Sequence, residues 1–278
     1  MKEDKATRIW KIISPPIVYL FIQMIVELVV AIAAVFLELT GIYKKYGLIK
    51  DSSAVVEKIR YLVEQNATYT VALSAFTVIV IFGRTMLLSG RKYNKIESSD
   101  IFPVVFFAVM LSLAVSNLIS AIQIDNIYGS YENTSGNLLQ GNIIYRLAAI
   151  GILTPVAEEI IYRGLVYDRA KKEFGTINAM IVSSAAFGIF HFNLVQGIYA
   201  FLIGMAFAWF YEKFGSLSVS IFMHMAINIV AVLLDYYGVT AITENSLVIR
   251  IVLMLAEFAA AAYTFEIINK KSDKKRGI

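Results

Sequence analysis

The sequence contains no cysteine among its 278 residues, and only 17% of them are charged. Without cysteine the chain has no disulfide scaffold, no CxxC redox centre, no zinc–thiolate site and no cysteine nucleophile. Soluble domains carry about 25% charged and roughly 45–50% apolar residues, whereas 58% of this chain is hydrophobic. This balance excludes a soluble Rossmann, P-loop or similar catalytic domain, and it predicts an all-α, polytopic membrane protein.

Eight apolar runs approach or exceed the length that a helix needs to cross a hydrocarbon core of ~30 Å. They lie at 12–37, 70–89, 101–122, 143–167, 177–193, 197–212, 217–235 and 247–268. We therefore predict about eight transmembrane helices. The loop after the first run carries Val55, Ile59 and Leu62 at helical spacing, and we expect an amphipathic helix there that lies on the membrane surface.

The basic residues indicate the orientation of the chain. Sixteen Lys and Arg residues lie at the two termini and in loops on the same side, whereas five lie on the opposite side, all in the loop at 40–69. Cytoplasmic loops of membrane proteins carry the excess of Lys and Arg, so we expect both termini in the cytoplasm. The formal net charge of +4 is then a topology signal and a contact for anionic lipids, and we expect no nucleic-acid partner.

Ionisable residues inside the fourth apolar run are the first sign of function, because such residues in a membrane usually face a cavity or a partner. The run contains Glu158, Glu159 and Arg163. Glu159 and Arg163 are four residues apart, so they share a helical face and can pair. Glu158 is rotated by about 100° and can point elsewhere. The neighbouring Thr154–Pro155 predicts a local helix start or a kink.

The protein has two histidines, and both fall in apolar runs that we predict to be helical. His191 lies near the end of the fifth run, and His224 lies in the seventh, four residues before Asn228. At a rise of about 1.5 Å per residue, Glu158, His191, His224 and Asn228 lie roughly 12–22 Å from the cytoplasmic ends of their helices. All four are therefore expected in one layer near the middle of the membrane.

These residue types suit the attack of water on an amide. A buried carboxylate can act as general base, and a histidine can orient and deprotonate the same water. His224 and the side-chain amide of Asn228 can donate to the oxyanion that develops. No serine or cysteine nucleophile is needed. Alternatively, Glu158, His191 and His224 could bind Zn²⁺ with a water as fourth ligand, although metal-independent chemistry is favoured.

The chain resembles the CPBP family of intramembrane endopeptidases (CAAX proteases and bacteriocin-processing proteins, also called Abi). The signatures of that family are EExxxR, FxxxH and HxxxN/D on successive core helices. They stand here as Glu158-Glu159-xxx-Arg163, Phe187-xxx-His191 and His224-xxx-Asn228. The resemblance covers about 150–235.

The resemblance implies an intramembrane endopeptidase that cleaves membrane-anchored, lipidated or hydrophobic peptides. It implies that Glu158 activates the water with His191 as its partner. It also implies that His224 and Asn228 stabilise the oxyanion, while Glu159 and the arginine of the same signature support the site. Family members include prenyl-protein endopeptidases and bacterial proteins linked to bacteriocin immunity or peptide-signal maturation. The compact length and the Ile/Lys-rich composition favour a multi-pass protein of a bacterial plasma membrane.

We divide the chain into N-terminal transmembrane helices with the amphipathic segment at 1–140, a catalytic helical core at 141–240, and a last transmembrane helix with a basic tail at 241–278. Two other functions remain open from the sequence. A non-enzymatic membrane scaffold or bacteriocin-immunity protein could keep the same residues for folding or for binding a partner. A transporter or channel could use them as an ion path, although the sequence shows no inverted halves or paired broken helices.

Overall fold

The structure, a computed structural model, describes residues 4–46, 61, 66–88, 93–122, 142–239 and 246–276. Within these ranges it consists of eight helices, with no strand. Their bounds are α1 Lys5–Tyr46, α2 67–88, α3 Ser98–Ala121, α4 143–174, α5 Thr176–Ile189, α6 Leu194–Phe214, α7 Leu217–Tyr236 and α8 Leu247–Arg276. The amphipathic segment predicted around Val55, Ile59 and Leu62 lies outside the described residues.

Each predicted apolar run corresponds to one of these helices, which confirms an all-α, multi-pass membrane protein. Six helices are long and apolar enough to cross a membrane, namely α1, α2, α3, α6, α7 and α8. Helix α5 has 14 residues, fewer than the ~20 that a full crossing needs. Helix α4 is long enough but contains the acidic and basic side chains of the fourth run.

Helix α4 alternates between α-helical and π-helical turns. Its π-helical segments are Leu147–Leu153 and Ile160–Tyr167, a helix type that often occurs at functional sites. The first segment ends just before Pro155, and the N–H of Thr154 donates to the carbonyl of Ala149, five residues back. Pro155 has no N–H to donate. The irregularity predicted at Thr154–Pro155 is therefore a change from π to α turns within one continuous helix.

The second π-helical segment of α4 lies in the interior of the bundle. All eight residues of Ile160–Tyr167 are buried, and this segment packs against α1, α2, α5, α6 and α7. A helix that is covered on every side can keep charged side chains in a membrane, because these side chains face protein groups and not lipid. The fold therefore places the polar residues of α4 in the interior.

Helices α5 and α6 form a hairpin with a very close crossing. A Cβ atom on Gly188 would lie 2.5 Å from the carbonyl oxygen of Gly197, so the two backbones can meet only because Gly188 has no side chain. The turn between the helices contains His191, and Asn193 begins α6 by accepting a hydrogen bond from the N–H of Gln196 at 3.0 Å. This crossing holds α5 and α6 together directly beside the turn that carries His191.

Candidate active site

Helix α4 carries a buried ion pair. Nη1 of Arg163 donates to Oε1 of Glu159 at 2.8 Å, and both side chains are fully buried. Nη2 of Arg163 donates to the carbonyl oxygen of Gly204 on α6 at 3.0 Å. The structure thus contains the pairing that the i,i+4 spacing predicted. Partners of this kind are required because removing two charges from water is unfavourable unless each is paired and hydrogen-bonded.

His224 of α7 lies between the two glutamates of α4. Its Nδ1 is 3.1 Å from Oε1 of Glu159, and its Nε2 is 3.5 Å from Oε2 of Glu158. The imidazole is buried, with 6% of the residue exposed. Glu158 and Glu159 therefore both face this ring, although they leave α4 in different directions. The sequence predicted one layer for these residues but did not predict that one histidine would contact both acids.

The hydrogen-bonding partners indicate which nitrogen of the His224 ring donates to Glu159. Glu159 accepts from Arg163 and, as a carboxylate, can only accept, so Nδ1 of His224 is the nitrogen that donates to it. Nε2 is then the nitrogen that faces Glu158. With a proton on both ring nitrogens, the two carboxylates, the guanidinium and the imidazolium sum to zero charge, which favours their burial together.

His191 lies in the turn after α5 and not in the helix, because α5 ends at Ile189. The prediction of a helical position is therefore wrong for this histidine. Its Nδ1 donates to the carbonyl oxygen of Phe187 at 2.6 Å, and in the neutral ring Nε2 then has its lone pair available. His191 is half-buried and lies within electrostatic range of Glu158.

Two phenylalanines enclose the cluster. The ring of Phe187 meets the imidazoles of His191 and His224 edge-on, with centroids 4.9 and 5.5 Å apart. The ring of Phe207 lies 5.0 Å from the His224 ring at an interplanar angle of 35°. The guanidinium of Arg163 lies 4.9 Å from the centroid of Phe187 and 5.2 Å from that of Phe207. Sequence reasoning did not find Phe207, because no motif distinguishes it among 18 phenylalanines.

Asn228 lies one turn beyond His224 on α7. Its Nδ2 donates to the carbonyl oxygen of Ile150 at 2.9 Å, in the first π-helical segment of α4. An amide nitrogen carries two hydrogens, and this bond uses one of them. The structure therefore places Asn228 next to the cluster as a tie between α7 and α4.

Helix α1, which carries no family signature, also reaches the site. Tyr19 is 4% exposed and lies within electrostatic range of Glu158. Tyr162 lies on α4, is buried, and also lies within electrostatic range of Glu158. Two buried phenol groups therefore lie in the neighbourhood of the acid that the sequence predicted as the base.

The positions of the two histidines and of Glu158 can be compared with those that a zinc site would need. In the part of the chain that the structure describes, no three His, Cys, Asp or Glu side chains are grouped so that they could hold a metal ion. Glu158, His191 and His224, the candidate ligands for Zn²⁺, are thus not such a group. His224 directs both ring nitrogens at carboxylates, and His191 directs Nδ1 at a backbone carbonyl.

Comparison with known proteins points to the same region. Residues 140–230 match a family model described as type II CAAX prenyl endopeptidase Rce1-like. A Bacillus subtilis (strain 168) protein named "Putative membrane peptidase YdiL" is 25% identical over 170 residues, which cover 59% of this chain and 68% of that protein. No solved structure matches the chain. The matched region includes all of α4 to α6 and the part of α7 that carries His224 and Asn228.

Proposed function

We propose that this chain, which is similar to the CAAX endopeptidases over residues 140–230, is an intramembrane endopeptidase of the CPBP family. The substrate is a membrane-anchored, lipidated or strongly hydrophobic peptide. The observation that carries the proposal is the contact of Glu158 with Nε2 of His224, at 3.5 Å, beside a buried Glu159–Arg163 pair. An acid and an imidazole held this way can act on one water and one carbonyl group.

In the proposed reaction Glu158 is the general base. It takes a proton from a water molecule while the water oxygen forms a bond to the scissile carbonyl carbon. The carbonyl π electrons move to the oxygen, and a proton on Nε2 of His224 donates a hydrogen bond to that oxyanion. When the intermediate collapses, the C–N bond breaks and the proton held by Glu158 passes to the leaving amine.

Glu159 and Arg163 orient His224 in this proposal. A carboxylate that accepts from one imidazole nitrogen fixes the orientation of the ring and stabilises its imidazolium form, as the acidic residue does in serine hydrolases. Glu159 makes this contact through Oε1, the same oxygen that accepts from Arg163. The orientation of the ring on α7 therefore depends on an ion pair within α4.

His191 and Asn228 have accessory roles. Nε2 of His191 bears the lone pair because Nδ1 donates to Phe187, so this ring can accept a hydrogen bond from the attacking water. The second N–H of the Asn228 amide is proposed to donate to the oxyanion, with the first held by Ile150. No metal ion is required for these steps, since a carboxylate and imidazoles can activate water by themselves.

The depth of the site favours a substrate that is itself in the membrane. Glu158 is eleven residues from Arg169, which lies in the part of α4 that the basic residues predict to be nearest the cytoplasm, and eleven residues correspond to roughly 16 Å along a helix. A water-soluble peptide would have to leave water to bring its scissile bond to this layer. A peptide with a lipid or a hydrophobic segment already lies there.

Comparative proteomics of membranes tests the proposal and identifies the substrate. The membranes of cells that contain the native protein, Glu158→Gln or Glu27→Gln are compared for peptide C-termini that cleavage creates. Glu27→Gln is the control, because Glu27 is a carboxylate at an exposed position of the membrane helix α1. We expect the same new C-termini with the native protein and Glu27→Gln, and none with Glu158→Gln. If all three membranes give the same C-termini, the chain is a scaffold or an immunity protein and the proposal is wrong.

A further inference from the structure

Within the proposed function, we propose that Phe207 is a positioning residue, whose ring holds the Arg163 guanidinium and the His224 imidazole in the arrangement that catalysis needs. None of the three family signatures includes Phe207. The ring lies on α6, whereas the groups it contacts lie on α4 and α7. Phe207 therefore connects three helices at the site, and 1% of the residue is exposed.

The contacts of Phe207 are those of an aromatic face with two cationic or polarisable groups. Its centroid is 5.2 Å from Cζ of Arg163, and its plane is tilted by 35° to the imidazole of His224 at 5.0 Å. A cation over an aromatic face is attracted by the ring quadrupole, and the attraction is larger where water is excluded. Phe187 contacts the same guanidinium at 4.9 Å, so Arg163 lies between two rings.

The position of Phe207 matters because of what its two partners do. Arg163 donates to Glu159, and Glu159 accepts from His224, so the three residues form one hydrogen-bonded series. Phe207 contacts both ends of this series. A displacement of either end would rotate the imidazole away from Glu158, and small misplacements of reacting groups reduce rates strongly.

Phe210 provides a matched control. It lies one turn further along α6, and it is as fully buried, with 1% exposed. Its ring packs against Phe107 and Phe265, at 5.0 and 6.4 Å, away from α4. A substitution at Phe210 should therefore affect packing without affecting the series from Arg163 to His224.

Fluorinated phenylalanines separate electrostatics from shape. Incorporation of mono-, di- and trifluorophenylalanine at 207 weakens the quadrupole in steps and changes the volume little. At 207 we expect kcat to fall in steps, by about tenfold in total for an interaction of this type, with KM unchanged. The same series at 210 should leave kcat unchanged. A flat series at 207, or equal falls at both positions, would overturn the proposal.

A spectroscopic measurement tests the contact even if the chain cleaves no peptide. The protein has two histidines, so selective labelling of histidine gives two sets of ring signals, which His191→Gln assigns. We expect Phe207→Leu to shift the His224 ring signals and Phe210→Leu to leave them in place. Absence of turnover in the native protein would contradict the proposed function alone, whereas unchanged His224 signals in Phe207→Leu would contradict the role of Phe207.

Discussion

Nδ1 of His224 lies 3.1 Å from Oε1 of Glu159, although the two residues are 65 positions apart in the chain. Glu159 is in turn held by Arg163 at 2.8 Å. The orientation of the imidazole is therefore set by α4, the helix that also carries Glu158. One helix thus supplies the proposed base and fixes the direction of the group opposite it.

The first prediction concerns the coupling of Glu159 and Arg163. Glu159→Gln leaves the buried guanidinium without its counter-charge, and we expect a loss of about 3–5 kcal/mol in the free energy of unfolding. The double variant Glu159→Gln/Arg163→Met should lose less than the sum of the two single losses. Denaturant unfolding in detergent measures all three.

The pair Glu266–Lys270 on α8 is the control for this cycle. It has the same i,i+4 spacing, but its side chains are 61% and 75% exposed. Glu266→Gln should leave the free energy of unfolding unchanged within error, because exposed pairs contribute little. Strict additivity of the Glu159 and Arg163 variants would show that their contact is energetically unimportant.

The second prediction concerns the space beside Gly204. A Cβ atom there would lie 3.0 Å from Nη2 of Arg163 and 3.2 Å from Cδ1 of Phe187. Gly204→Ala should displace the guanidinium and, through Glu159, the imidazole of His224. We expect turnover to fall by about 100-fold, because small misplacements of a reacting group reduce rates strongly. Gly83→Ala is the control, since its Cβ would meet nothing nearer than 3.9 Å. Native turnover in Gly204→Ala would show that the guanidinium tolerates the shift.

The third prediction separates catalysis from helix packing at Asn228. Asn228→Leu removes both amide hydrogens, and we expect turnover to fall about 100-fold, the effect of losing one oxyanion donor. The control is Asp235→Asn, which weakens the bond from Arg146 to Asp235 between the same two helices. It should lower stability and preserve turnover. Equal losses of turnover in both variants would mean that Asn228 only ties α7 to α4.

The fourth prediction concerns metal dependence. Dialysis of the purified protein against EDTA and 1,10-phenanthroline should leave its turnover unchanged, because the proposed steps use carboxylate and imidazole groups alone. A zinc endopeptidase treated in parallel, which should lose its activity, shows that chelation is complete. Loss of turnover that added Zn²⁺ restores would assign a ligand role to the histidines instead.

The helices were predictable because a bilayer requires long apolar segments, and this requirement leaves a plain pattern in the sequence. The end of α5 was not predictable, since Phe190 and Phe192 continue the apolar run through the turn. Phe192 has φ +53°, a conformation that no pattern of hydrophobicity indicates. One local signal was available, because Asn193 is a residue type that begins helices.

The site was predictable where chemistry and spacing coincide. Glu159 and Arg163 share a face of α4 by spacing alone, and the structure shows their contact. The position of His224 between both acids was not predictable, because it depends on how α7 packs against α4 and on the π-helical turns of α4. Gly204 and Phe207 depend on the same packing, and their types occur throughout the chain.

The most direct test is the turnover of Glu158→Gln with a peptide substrate in proteoliposomes, measured beside the native protein and Glu27→Gln. Glutamine keeps the shape of the side chain but cannot accept the proton of water. We expect kcat to fall by about 10²–10⁴, the range for loss of a general base, with the melting temperature unchanged and Glu27→Gln fully active. Loss of a general base lowers kcat by at least about 100-fold. A kcat of Glu158→Gln within about tenfold of the native value would therefore contradict the role of Glu158 as general base.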